Sequence, residues 1–304
     1  RRPGRWFALV DLAKGRMMGG RMMGGRMMGG RMMGEAVALP DDRRGTGHGV
    51  FNADASLFFM AEDDSAKERG ALALLDPKAG YKRVGEIADV GVGPHEVLAL
   101  DGGAKGGGVL AVADGGVLTH PDTGRVKLNL DAMDPALHYV DAASRRVVET
   151  MRLPAEYNNL GIRHIAAGPN GAVFFGMQDE RPGGGLQPLV GVHRRGSPPA
   201  LLTAPDEIWR RLDGYVGSMA CDGRLVAASS PRGGAVATWD AETGAFIDLI
   251  DLPDGCGLGA AARPEGGIIA TNGFGRIIDP DGVTLAETPA LRWDNHLSGP
   301  LFIG

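Results

Sequence analysis

Four of the seven histidines sit in similar short contexts: Gly47-His48-Gly49-Val50, Pro94-His95-Glu96-Val97, Arg163-His164-Ile165 and Asp294-Asn295-His296-Leu297. Brought together, four imidazoles suit iron, copper, zinc or nickel, and Glu96 or Asp294 could orient them from behind. With Arg125, Arg163 and Arg232, and with Ser218 and Glu96 nearby, the same residues could instead hold a polar small molecule or an anion. For any one of them the plain alternative is a hydrogen-bonded residue of a water-filled channel. His120, His138 and His193 stand outside the pattern and are read as structural.

Other reactive chemistry is sparse. Ser218 could act as a nucleophile only beside a base oriented by an acid, and none is evident. No Gly-x-Ser-x-Gly elbow, His-Glu-x-x-His helix or dinucleotide fingerprint occurs. Cys221 and Cys256 are too few for a disulfide framework and lack zinc-motif spacing.

The elements that must position the histidines are short. Fifty glycines, nineteen prolines and only 6% aromatics describe a chain that turns often, and 43% hydrophobic residues give it a core. A degenerate unit recurs at a period of about 40–50 residues: two apolar runs, a third ending in Asp before a turn, then a fourth. The Asp-terminated runs are 71–76, 137–141, 235–240 and 277–279. Second runs fall at 57–62, 109–114, 172–178, 225–230 and 268–272, and fourth runs at 81–87, 147–153, 200–204, 246–252 and 283–288. First runs begin near His48, His95, Arg163, Val216, Gly257 and Asn295, which puts the four histidines at matching places in neighbouring units.

Four short strands per unit at this spacing predict an all-β fold, a β-propeller of four-stranded blades. The count is six blades, with seven open if two have been merged. The sixth is assembled from 7–11 and 36–39 with 293–297 and 301–303, so that N- and C-terminal strands close the ring. The whole chain, 1–304, reads as a single domain, with 16–35 a low-complexity loop insertion. That insertion, Arg-Met-Met-Gly-Gly repeated, has too short a period for a blade; a methionine-rich copper or partner site is its sharper alternative.

Blade phasing sorts the loops. The methionine repeat and 102–108 fall on one face. The long loops 115–136, 179–188 and 231–234 fall on the other, carrying His120, Asp122, Arg125, Lys127, Arg181 and Arg232, around the mouth of the channel that the histidines ring. A formal charge of −5 gives no reason to expect nucleic acid, and no apolar run is long enough to span a membrane. The sequence opens at Arg1 without an initiator methionine, as a mature or trimmed form would. Arg1-Arg2, followed by no apolar signal core, reads as a chance pair.

Several of these motifs, with Thr119-His120-Pro121-Asp122-Thr123-Gly124-Arg125, Gly214-Tyr215-Val216-Gly217-Ser218, Ser230-Pro231-Arg232-Gly233-Gly234 and Trp293-Asp294-Asn295-His296, resemble the bacterial domain-of-unknown-function family 1513 over nearly the whole chain. The resemblance implies an exported, often twin-arginine-dependent, periplasmic propeller encoded beside imelysin-type and peroxidase-type iron-uptake proteins. It supplies no catalytic residues. Four-histidine iron sites on a propeller axis also occur in carotenoid-cleaving oxygenases, a likeness of fold alone. The leading expectation is a periplasmic, non-catalytic propeller that binds a metal (iron, copper or zinc) or small ligand at His48, His95, His164 and His296, in iron acquisition and with iron-uptake proteins as partners. The alternatives are a metal-dependent oxidoreductase or hydrolase, and a protein-interaction scaffold.

Overall fold

A computed structural model describes residues 5–8, 10–11, 16–17, 36–100, 108–124, 126–181, 185–261, 266–279, 281–289, 292–293 and 296–297. Arg125, Asp294 and nearly all of the methionine repeat lie outside them. The fold is all-β and propeller-like, with five four-stranded antiparallel sheets whose strands follow one another in chain order. Two short hairpins precede them: β1 (Trp6–Ala8) pairs with β4 (Ala36–Ala38), and β2 (Val10–Asp11) with β3 (Arg16–Met17).

The first sheet is β5 (Arg43–Phe51), β6 (Phe58–Asp64), β7 (Arg69–Asp76) and β8 (Lys82–Ala88). The second is β9 (Pro94–Ala99), β10 (Val109–Asp114), β11 (Ala136–Asp141) and β12 (Arg146–Arg152). The third is β13 (Leu160–Ala167), β14 (Ala172–Asp179), β15 (Val190–Arg194) and β16 (Ala200–Leu201). A short helix, α1 (Asp206–Arg211), leads to the fourth: β17 (Ser218–Cys221), β18 (Leu225–Ser230), β19 (Ala235–Asp240) and β20 (Phe246–Asp251). The fifth is β21 (Gly255–Ala260), β22 (Ile268–Asn272), β23 (Arg276–Ile278) and β24 (Thr284–Glu287).

Burial follows position in the sheet. The second and third strands are covered on both faces by neighbouring sheets, so β7 and β14 are almost continuously apolar and buried. The outer strands β8 and β12 alternate, with every second side chain toward solvent. Cores therefore lie between sheets: Phe59, Leu72 and Leu74 of the first pack with Val97, Leu110 and Val112 of the second. Each side chain of this kind contributes about 1.5–3 kcal/mol when fully buried. The first strands line up side by side, β5 against β9, β9 against β13, β13 against β17 and β17 against β21.

The recurring Asp closes the turn after the third strand. Asp76 accepts from Lys78 N at 2.8 Å, Asp240 from Thr243 N at 2.7 Å, and Asp279 from Val283 N at 2.8 Å. Glycines 80, 244 and 282 follow at φ of 67°, 71° and 78°, where a Cβ would be strained.

Asp114, at the end of β10, joins two loops. Its buried carboxylate accepts from Gly93 N and Gly116 N, both at 2.9 Å. Gly91 passes so close, at φ 87°, that an added Cβ would fall 1.7 Å from Asp114 Oδ2. Hydrogen bonds to a charged group are worth about 1.5–3 kcal/mol each. Asp114→Ala is therefore expected to cost about 3 kcal/mol, read as a fall in the urea midpoint with an unchanged slope.

Candidate metal and ligand site

The first strands carry the site because most of them are bulged at one level. In β5, Thr46, Gly47 and His48 lie opposite the single residue Ala61, since Gly45 pairs with Glu62 and Gly49 with Met60. In β9, Pro94 pairs with Asp114 and Glu96 with Ala113, which leaves His95 without an opposite residue. In β13 the extra residue is Arg163, between paired Ile162 and His164. In β21, Cys256 and Gly257 lie opposite Thr271 alone. Bulges redirect side chains out of strand alternation. Here they collect three histidines from three adjacent strands.

The four rings form one cluster. The centroid of His48 lies 5.1 Å from that of His95, 5.8 Å from His164 and 4.4 Å from His296. His164 lies 5.0 Å from His95 and 4.8 Å from His296. One ring nitrogen from each of His48, His164 and His296 falls within 4.8 Å of the others. A tetrahedral ion with bonds of about 2.1 Å needs such nitrogens roughly 3.4 Å apart, so modest ring rotation completes the set. His95 stands at the edge of this triad.

Glu96 sits behind the rings. Its Oε2 accepts from Ile165 N at 3.2 Å and contacts His164 Nδ1 at 3.1 Å, while Oε1 lies 3.8 Å from His48 Nδ1. A carboxylate at Nδ1 makes that nitrogen the N–H and leaves Nε2 of His164 with the lone pair a metal needs. Burial, and then the charges of His164, Arg163, His48 and His296, hold the His95 imidazole well below its usual range, so it is neutral at pH 7. Glu96→Gln is expected to weaken metal affinity about 10–100-fold, measured by competition with a chromogenic chelator.

Above the rings opens a cavity of about 430 Å³, its floor formed by His95, His164 and His296. Its walls come from the loops between second and third strands of the second, third and fourth sheets and from those leading into β9 and β17. Arg163 Nη2 donates to Glu180 Oε1 at 3.1 Å, and Lys127 donates to the other oxygen of the same buried carboxylate. Arg232 lies over the Tyr215 ring at 4.4 Å. Asp63 is paired with Arg44 at 3.0 Å, yet burial pushes its carboxyl up to about 6.

Of the remaining sequence candidates, Ser218 is buried and accepts from Leu258 N at 3.2 Å. It ties β17 to β21 and does not line the cavity. Arg125 lies outside the described residues. His120 caps a turn by accepting from Asp122 N; buried His138 is hydrogen-bonded to Thr150, and His193 to Tyr139 and Ser197 O. Glu180 was not singled out from sequence, although an acid directly after Asp179 at the cavity-facing end of a second strand was its signal. Cys221 is a free thiol, and the Cys256 thiol donates to Asp254 O at 2.9 Å.

A family model described as "Protein of unknown function (DUF1513)" matches residues 1–299. No curated protein matches the chain. Among solved structures, hydrazine synthase of Kuenenia stuttgartiensis is similar over 92% of this chain and 90% of that chain, at 14% identity and a TM-score of 0.50. A structure titled "Apo ctPRC2 in an autoinhibited state" is similar over 84% of this chain and 58% of that one, at 11% identity and a TM-score of 0.52. At such identities the likeness is one of fold.

Proposed function

The chain belongs to the DUF1513 family, and from that premise we propose that it is a metal-binding propeller whose ion is held at the channel mouth by His48, His164 and His296, with His95 as fourth ligand or acceptor. The observation that carries the reading is the convergence of three imidazole nitrogens over a carboxylate that orients one of them. An all-imidazole set suits zinc, copper or iron. A structural zinc site would bury all four positions, whereas this one opens into a cavity, so a coordination place faces incoming ligand.

In the same reading the propeller has six blades in one domain. His296 and Leu297 are its support: their backbone lies against Gly257 of β21, and the His296 ring lies against His48 of β5. They occupy the gap between the fifth sheet and the first. In this reading the β1–β4 hairpin supplies strands to the same blade and both termini close the ring; its support is the packing of Phe7 and Leu39 against Met60, Ala73 and Leu75 of the first sheet.

Export to the periplasm and work in iron acquisition, beside iron-uptake proteins, complete the reading. Their support is the motif resemblance together with a ligand set that accepts iron. The test is elemental analysis of protein purified from its native compartment without an affinity tag. About one iron, copper or zinc per chain is expected; a chain free of metal that also takes up none of the three on titration would overturn the reading.

A further inference from the structure

The cavity above the histidines has more positive charge than its own carboxylates answer. Lys127, Arg163 and Arg232 line it, along with Glu180 and Asp63. Glu180 is shared between Arg163 and Lys127, and Asp63 is engaged by Arg44. Arg232, exposed and resting on Tyr215, makes no ion pair among the described residues. Arg163 Nε is buried with no hydrogen-bond partner among the described residues, and its guanidinium packs against Gly115, where an added Cβ would fall 2.8 Å from Cζ. Three cations therefore line the cavity against two lining carboxylates, each already paired, with the Asp114 carboxylate acting on Arg163.

The three lining cations come from three separate loops or strands, so their convergence is a product of the whole fold and not of a local charge run. Burial, and then the charges of Arg163 and Arg232, hold the Lys127 ammonium below its usual range. A volume of about 430 Å³ accommodates a small ligand with several charged groups. Guanidinium groups grip planar carboxylates through paired N–H donors. Because the floor of the cavity is the histidine cluster, an anion held by the walls presents its remaining oxygens to the ion.

We propose that the cavity takes a small polycarboxylate, clamped by Arg163, Lys127 and Arg232 and bound as the complex of the histidine-held ion. This rests on the metal reading above. The ligand is thus recognised twice, by charge at the rim and by coordination at the floor, and neither part alone gives full affinity.

The test is calorimetric titration of tricarballylate, a tricarboxylate that chelates zinc weakly, into zinc-loaded and metal-free protein, after zinc binding itself has been measured. Binding to the zinc-loaded form is expected to be at least tenfold tighter than to the metal-free form. Arg232→Gln, a change at an exposed position, and Lys127→Gln are each expected to weaken it at least tenfold. Stoichiometric zinc with no tricarballylate binding below millimolar concentrations would overturn the proposal and leave the metal site standing. Equal affinity with and without zinc, or in Arg232→Gln, would overturn it as well. Inorganic phosphate binding as tightly as tricarballylate would show that the cavity reads charge alone and would sink the carboxylate assignment. Absence of zinc binding would defeat the metal reading first, and this proposal with it.

Discussion

His48→Gln combined with His164→Gln is expected to lower zinc affinity by well over a hundredfold, measured by chelator competition at pH 7.5. Loss of a single outer partner such as Glu96 typically costs about 10–100-fold, and removing two direct ligands costs more. The two rings come from different sheets, β5 and β13, so no local rearrangement of one loop can restore both nitrogens. Glutamine keeps much of the polar volume, and the unfolding midpoint of the metal-free variant should remain near that of the parent chain. Zinc should raise the parent's midpoint and leave the variant's unmoved, because an ion bound only by the folded state stabilises it by mass action. An unchanged zinc affinity in the double variant would refute the assignment.

Arg43→Met is expected to destabilise the chain by about 3–5 kcal/mol, the range for breaking a buried ion pair from one side. Arg43 is buried in β5, and its guanidinium reaches Glu62 at 3.3 Å, Asp64 at 3.0 Å and Glu86 at 3.0 Å. Arg83 joins Glu62 at 2.6 Å and Glu86 at 2.8 Å, and Arg69 joins Asp64 at 3.3 Å and Glu86 at 2.8 Å. Glu62 and Asp64 have no access to water, so withdrawing Arg43 leaves their charge under-compensated where the medium cannot screen it. Arg43→Met with Glu62→Met should cost less than Arg43→Met alone, since an apolar pair removes the stranded charge. Denaturant unfolding at low and high salt checks both. A cost for Arg43→Met below about 1 kcal/mol would mean that Arg69 and Arg83 suffice.

These charges share a side of the first sheet with Met60, Ala73 and Leu75, which pack against Phe7 and Leu39 of the N-terminal segment. Glu62 and Asp64 stand at alternate positions in the last three residues of β6, with Asp63 between them on the other face. Three consecutive acids closing an apolar run were a visible sign of this network in the sequence, and arginines 43, 69 and 83 were its complement.

Much of the architecture was readable because its turns are chemically explicit. The runs 109–114, 225–230, 235–240 and 268–272 match β10, β18, β19 and β22 residue for residue, since an Asp or Gly follows each apolar stretch or an apolar stretch starts abruptly. The weak places are equally physical. β15 carries Gly191 and His193 within five residues and so lacks an apolar signature. β16 is two residues long where 200–204 was expected, because the chain leaves the sheet there toward α1. Helix α1 buries only Ile208 and Trp209, too few positions to display a helical period. At the site, the alignment of histidines 48, 95, 164 and 296 was legible from their place in the repeat. The pairing of Glu180 with Arg163 and Lys127 was not, since it joins residues 17 and 53 positions apart. Ser218 looked available only because sequence does not show that its hydroxyl is already engaged by Leu258.

The bulges of β5, β9, β13 and β21 have a consequence for descent. A residue that no ladder partner opposes can change identity without disturbing the pairing on either side of it. Among relatives sharing this architecture, the residues at the positions of His48, His95 and Arg163 can therefore diverge under selection for a new ligand, while Gly257, against which the His296 backbone packs, and the strands themselves stay under selection for packing. The fold can be inherited intact as its chemistry is exchanged, a few positions at a time.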